Sequence, residues 1–364
     1  MIRIRALLLG LLLAPSAHAD VTTLVAVRDA TLFNDPTGAL ANGSGPVMIV
    51  GRAGSTSTAP LRRALVRFDL AGALPAGSIV NSVQLVLHNT SGNTGPRTVE
   101  LHRVLADWGE GASSTTSGQG AASQPGDATW IHTYFPGSLW SAAGGDFAAA
   151  TSAALAIDQL GVHTFPSTAG AVADAQGWLD TPGANFGWLL KLDVETVAQT
   201  TKVFGTRESA SSAEWPSLVV DYTPPVSGYC VSDTSSAGCA VTIASAGTPS
   251  ASAGSGFIVS LAHAPAGRAT SLVYGLSGPT AIPFSGAILC VAPPLTRCAV
   301  RFVDASDPAC GGGASLDFNA RIASGLDPRL AAGTTVHMQW HVRDAATLLG
   351  TLVSSDALRV VIQP

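Results

Sequence analysis

Short runs of strand period, each closed by a Gly- or Pro-bearing turn, constrain this chain more than any other feature. In Ala64-Leu-Val-Arg-Phe-Asp-Leu70, residues Ala64, Val66, Phe68 and Leu70 share one face, and Leu65, Arg67 and Asp69 take the other. Val83–His88 buries Val83, Leu85 and Leu87, and Val99–Val104 opposes Val99 and Leu101 to Glu100 and His102. Val21–Arg28, Val47–Val50, Trp188–Asp193, Lys202–Thr206 and Leu218–Tyr222 continue the series, with Leu74-Pro-Ala-Gly77 and Asn89–Pro96 among the turns. Many short strands between such turns specify an all-β sandwich. One helical stretch, Ala171–Leu179, interrupts them before Pro182-Gly183; Val172, Gln176 and Leu179 lie on one side, beside Ala175 and Trp178.

Tyr222-Thr-Pro-Pro-Val-Ser-Gly228 marks a change of composition, since all five cysteines follow it and Trp340 is the last tryptophan. Strand candidates beyond it are Phe257–Ala262, Ser271–Gly275, Ala287–Val291, Leu316–Ile322, Thr335–Val342 and Ala357–Ile362. Their spacing suits a smaller, immunoglobulin-like sandwich. The expected organisation is a signal peptide over 1–19, a first sandwich over 20–223, a linker over 224–229 and a second sandwich over 230–364. The signal reading rests on Arg3 and Arg5, the apolar run Ala6–Ala14, and the cleavage pattern Ala17-His18-Ala19. It implies a secreted, periplasmic or cell-surface protein, and no later run is long enough for a membrane span.

Charged residues are 12% of the chain and the net charge is −5. No basic stripe is present to neutralise phosphates, so nucleic acid is not an expected partner. The cysteine spacings hold no C-x2–4-C pair, which argues against zinc. An oxidising compartment permits disulfides, and five cysteines leave one thiol over. The short polar loop Val231–Gly238 favours closure of Cys230–Cys239.

Several segments resemble the secreted bacterial DNRLRE domain. They are Ala64–Leu70 with Leu74–Gly77, Asp107-Trp-Gly-Glu-Gly111, Gly126–Trp130, Val172–Asp180, Asn185–Leu190 and Phe204-Gly-Thr-Arg-Glu208, in order from about Thr22 to Tyr222. The resemblance implies a jelly-roll-like sandwich on an extracellular protein, and some relatives are carbohydrate-binding modules. The part after the linker is similar to a domain that trails such modules, through Tyr229-Cys230, Gly238-Cys239, Tyr274–Gly278, Leu289–Pro294, Asp317-Phe-Asn319 and Ser355–Leu358. That likeness implies no activity. It places paired cysteines at Cys290 and Cys310 and leaves Cys298 free, with Cys298–Cys310 as the open rival.

Arg67, Asp69, Arg207 and Glu208 stand out in a charge-poor chain and are expected to form a structural network. Trp130, Tyr134, Phe135 and Trp140 cluster at a Pro/Gly turn. Trp130, Tyr134 and Trp140 are candidates for stacking on sugar rings, against a role as core anchors; Trp108, Trp178, Trp188 and Trp215 are expected in the core. Asp107, Glu110, Asp127 and Asp146 flank a Ser/Thr/Gly loop, as solvated acids, calcium ligands or a glycosidase pair. Asp29, Asp127 and Asp146 are the candidate set for a structural calcium, the one cofactor considered. His337 and His341 share a face of one strand. No catalytic motif is present. The chain therefore reads as a non-catalytic binding protein for a polysaccharide or surface glycan. The alternatives are a structural or adhesive envelope protein that binds protein and, less favoured, a polysaccharide hydrolase.

Overall fold

A computed structural model describes residues 19–56, 60–116, 118–304, 310–345 and 351–364. The signal-peptide reading of residues 1–18 lies outside them. The chain is almost entirely β and falls into two compact units, Ala19–Pro224 and Pro225–Pro364.

In the first unit one layer runs in the order Asp20–Val25, Ser217–Thr223, Ile79–Gly92, Lys202–Gly205, Val47–Arg52, every pair antiparallel. The other layer places Leu61–Arg67 beside both Arg28–Phe33 and Trp188–Leu192, then Arg97–Val104 and Phe147–Ile157. Strand Val47–Arg52 belongs to both layers, pairing with Lys202–Gly205 through its first residues and with Leu61–Arg67 through Gly51 and Arg52. Gly51 has φ +98° at this crossing, and a Cβ there would lie 2.6 Å from the Thr200 carbonyl oxygen, so only glycine fits.

The period-2 pattern explains the packing. Ala64, Val66, Phe68 and Leu70 meet Val83, Leu85, Leu87, Leu190 and Phe204 between the layers, all essentially inaccessible. Leu65 and Leu189, on the opposite face of their sheet, are also buried. They need a second cover, which segments between Val104 and Phe147 supply through Trp108, Trp130 and Trp140. Helix Ala169–Asp180 buries Ala171, Ala175, Trp178 and Leu179, and Thr168 caps it by accepting the Ala171 N–H at 3.1 Å.

The second unit has one sheet in the order Val226–Tyr229, Leu352–Val361, Thr335–Arg343, Ala269–Gly275, Thr296–Arg297. Thr242–Ala246, Ile258–Ala264 and Gly312–Asp317 form another, and Pro279–Phe284 pairs with Ala287–Val291 as a hairpin. Tyr274, Phe257, Phe318, Met338 and Trp340 fill its core. Two expectations need correction. The expected linker 224–229 is largely a strand, because Val226–Tyr229 pairs with Leu352–Val361. The expected strand Leu316–Ile322 becomes helix after Asp317, whose carboxylate caps Phe318–Ala323 by accepting the Ala320 N–H at 3.2 Å.

The disulfides are Cys230–Cys290 and Cys239–Cys310, and Cys298 is free and buried. The expected pairs Cys230–Cys239 and Cys290–Cys310 are therefore wrong. The loop after Cys230 does fold back, with a bridge between Thr234 and Ala240. Cys239, however, is buried in the unit, while Cys230 directly follows the edge strand Val226–Tyr229 and is bonded to Cys290 of Ala287–Val291. Each sulfur thus meets a partner from a different part of the unit.

Candidate functional site

The expected sugar platform is not a surface. Trp130 and Trp140 are buried; the Trp140 indole donates to the Thr129 carbonyl at 2.9 Å. The Arg63 guanidinium lies 5.0 Å from the Trp130 ring and is held by Glu195 through two bonds of 2.9 and 2.7 Å. Tyr134 is half-buried and donates its hydroxyl to Asp107 at 2.6 Å. Trp130 and Trp140 pack with Leu65 and Leu189 in one buried cluster.

The four charges expected as one network separate. Arg67 joins Arg28 on Asp107, at 3.6 and 3.3 Å. Asp69 instead accepts the Gly72 N–H at 3.0 Å and closes a turn. Arg207 donates Nε to Glu110 at 3.0 Å, pairs its Nη2 with the other Glu110 oxygen, and reaches Glu208 at 3.0 Å. Asp29 enters this second group by accepting the Arg207 N–H at 3.0 Å. Arg207 is held strongly cationic by its bond to Glu110.

The acids expected to share calcium also separate. Asp127 is fully buried and accepts N–H groups of Gln124 and Ser113 at 2.6 and 3.2 Å. A Cβ on Gly111, at φ +68°, would sit 1.8 Å from its oxygen, so this loop wraps the carboxylate tightly. Asp146 caps its own turn by accepting from Ser141 and Ala142, and these bonds hold its carboxyl below the usual range. Both carboxylates are satisfied locally. Only Asp29 of the expected set belongs to an acidic cluster, and its companions are Glu110 and Glu208.

The second unit carries a site that was not expected from the sequence. Strand Thr335–Arg343 turns Val336, Met338, Trp340 and Val342 into the core. The alternate positions His337, Gln339, His341 and Arg343 therefore share the opposite face. Gln339 is fixed there by the Cys290 N–H at 3.0 Å and by the Ile288 and Ser355 carbonyls. At its other end this face borders a groove of about 430 Å³ lined by His341, Arg343, Arg297, Ser271, Phe284 and Thr351, with others. Ser271 is the register partner of His341, and Arg297 enters from the strand beyond Ala269–Gly275. Arg297 and Arg343 are exposed and form no ion pair among the described residues. His341 is 4% exposed, and its Nδ1 has no hydrogen-bond partner. Burial and the Arg297 charge hold this imidazole down at about 4, so it is neutral at pH 7. The Phe284 ring lies 6.0 Å from the imidazole, tilted by 31°. The groove combines unpaired guanidinium charge, hydroxyls and an exposed aromatic face, which suits an anionic, hydroxyl-bearing ligand. Its one sequence signal is the pair of lone arginines on strands of a charge-poor module.

No protein-family model matches the chain, and no curated protein matches it. A β-1,2-glucanase from Parabacteroides distasonis is a structural match at 10% identity and a TM-score of 0.19, covering 95% of this chain and 37% of that one. This chain thus spans well under half of that protein, and a likeness at that TM-score carries no argument.

Proposed function

We propose that this protein is a non-catalytic extracellular or cell-envelope protein that binds a polysaccharide or surface glycan, and that the groove of the second unit receives an acidic glycan. The observation that carries this reading is the pair Arg297 and Arg343, unpaired guanidinium groups beside Ser271, Thr351 and the Phe284 ring. Arginine forks match the geometry of carboxylate and sulfate groups, hydroxyls exchange hydrogen bonds with ring hydroxyls, and an aromatic face takes the apolar side of a sugar. Disulfides are compatible with an oxidising compartment. The motif resemblance of the first unit to modules that include carbohydrate binders points the same way. Catalysis is not favoured, because in the acidic cluster of the first unit Asp29 is buried and the partly buried Glu110 and Glu208 are paired with Arg207.

A glycan array probed with the secreted protein tests this. The expected hits are acidic glycans, weakened by added salt because the contacts are charged. Signals confined to neutral glycans would overturn the assignment of the groove. A blank array with retention on a protein surface would favour the adhesive alternative.

A further inference from the structure

Asp29, Glu110 and Glu208 come from strand Arg28–Phe33, from the loop after Arg97–Val104, and from the turn after Lys202–Gly205. A carboxylate oxygen of each lies within 4.8 Å of the others. Among the described residues Arg207 is the one cation bonded to them. Three carboxylates against one guanidinium leave a net charge of −2 when all are ionised. Arg207 takes both oxygens of Glu110 and one of Glu208, and its backbone N–H takes Asp29 Oδ2. Two oxygens then remain, Asp29 Oδ1 and Glu208 Oε2, both buried and without any hydrogen-bond partner. The Asp29 side chain is wholly inaccessible to bulk solvent. An unpaired buried carboxylate oxygen costs more than a neutral acceptor left in the same state. Two such oxygens in one cluster point to a ligand that supplies positive charge.

We propose that Asp29, Glu110 and Glu208 bind a hard divalent cation, calcium in preference to magnesium. The donors are all oxygens, which excludes a preference for zinc or copper. A divalent ion offsets the residual −2 and gives the orphaned oxygens a partner. Calcium accepts irregular sets of carboxylate oxygens and backbone carbonyls, whereas magnesium demands a near-octahedral shell and keeps its waters. The ion would tie the first strands of the unit to the loop bearing Glu110 and to the Arg207-Glu208 turn, a structural role separate from the groove.

The test uses the mature full chain, stripped with chelator and dialysed. Thermal melting and titration calorimetry with calcium chloride or magnesium chloride are compared for the natural protein, Asp29→Asn and Glu208→Gln. At a hundredfold excess of calcium over its Kd, the melting transition of the first unit should rise by roughly 5–10 °C. Both variants should lose most of that shift and the binding heat. If Asp29→Asn does not fold, Glu208→Gln decides alone, because that side chain is nearer the surface. Neither heat nor shift with either ion at millimolar concentration overturns the proposal. So does an equal shift in the folded variants, and a response to magnesium without one to calcium overturns the choice of ion.

Discussion

Arg207 shows what single residues contribute. It is 36% exposed, yet it pairs with two glutamates and aligns its backbone N–H on Asp29. Replacing it by Ala leaves three like charges in one cluster. The expected cost is about 2–3 kcal/mol, below that of a fully buried pair because the guanidinium is partly solvated, and urea unfolding of the variant measures it. His337 and His341 carry a pH dependence. Burial holds each at about 4 against an ordinary 6.5, with Arg359 adding to the effect at His337 and Arg297 at His341. Both are neutral in the folded protein and protonate in the unfolded chain below about 6.5. The unfolded state therefore binds more protons between pH 6.5 and 4, and the second unit should lose stability as pH falls through that window. The loss should be on the order of 1–3 kcal/mol per histidine. Melting curves at pH 7.5 and 4.5 check it, and His341→Gln should flatten part of the slope. The charges themselves were legible as rare ionised groups in a poor background. Their meeting was not, since the Arg207 bonds to Glu110 and Asp29 span 97 and 178 residues.

At the scale of elements, period-2 alternation read most strands well, because inward positions such as Ala64, Val66 and Phe68 report burial directly. It failed where both faces of a strand are covered. Leu65 and Leu189 are buried on the outer side, so the nearby tryptophans became a lid over them rather than a platform for sugar. An aromatic cluster at a turn reads the same in either role, and only the three-dimensional cover distinguishes them. Asp317 likewise turned an apolar run from strand to helix through a cap that alternation does not register. The disulfides belong here too. Sequence proximity favoured Cys230 with Cys239, whereas the fold brings Cys230 to Cys290 and Cys239 to Cys310. Non-reducing peptide mapping should recover these two linked pairs and an unlinked Cys298 peptide. A Cys230–Cys239 peptide would contradict this pairing. The bridges close loops of 60 and 71 residues, so the chain-entropy estimate gives each roughly 4 kcal/mol, and the overlapping loops make the sum smaller. Reduction should therefore lower the melting of the second unit and leave the first, which has no cysteine, unchanged.

Across the whole molecule, two β units each build a core and differ in which charges they leave locally unbalanced. The first gathers unbalanced carboxylates around Asp29, and the second leaves Arg297 and Arg343 unpaired beside a groove. On the proposed function, these arginines receive an acidic glycan without chemical turnover. The most direct measurement compares the natural protein with the double variant Arg297→Ala, Arg343→Ala. Calorimetric titration would use an acidic oligosaccharide chosen from the array, with reducing-sugar release followed in the same samples. Both side chains are exposed, so the variant should melt as the natural protein does. Each lost charge-assisted contact is worth roughly 1.5–3 kcal/mol, so binding should weaken at least tenfold, with no sugar released by either protein. Undiminished binding by the double variant, or release of reducing sugar, would contradict the account.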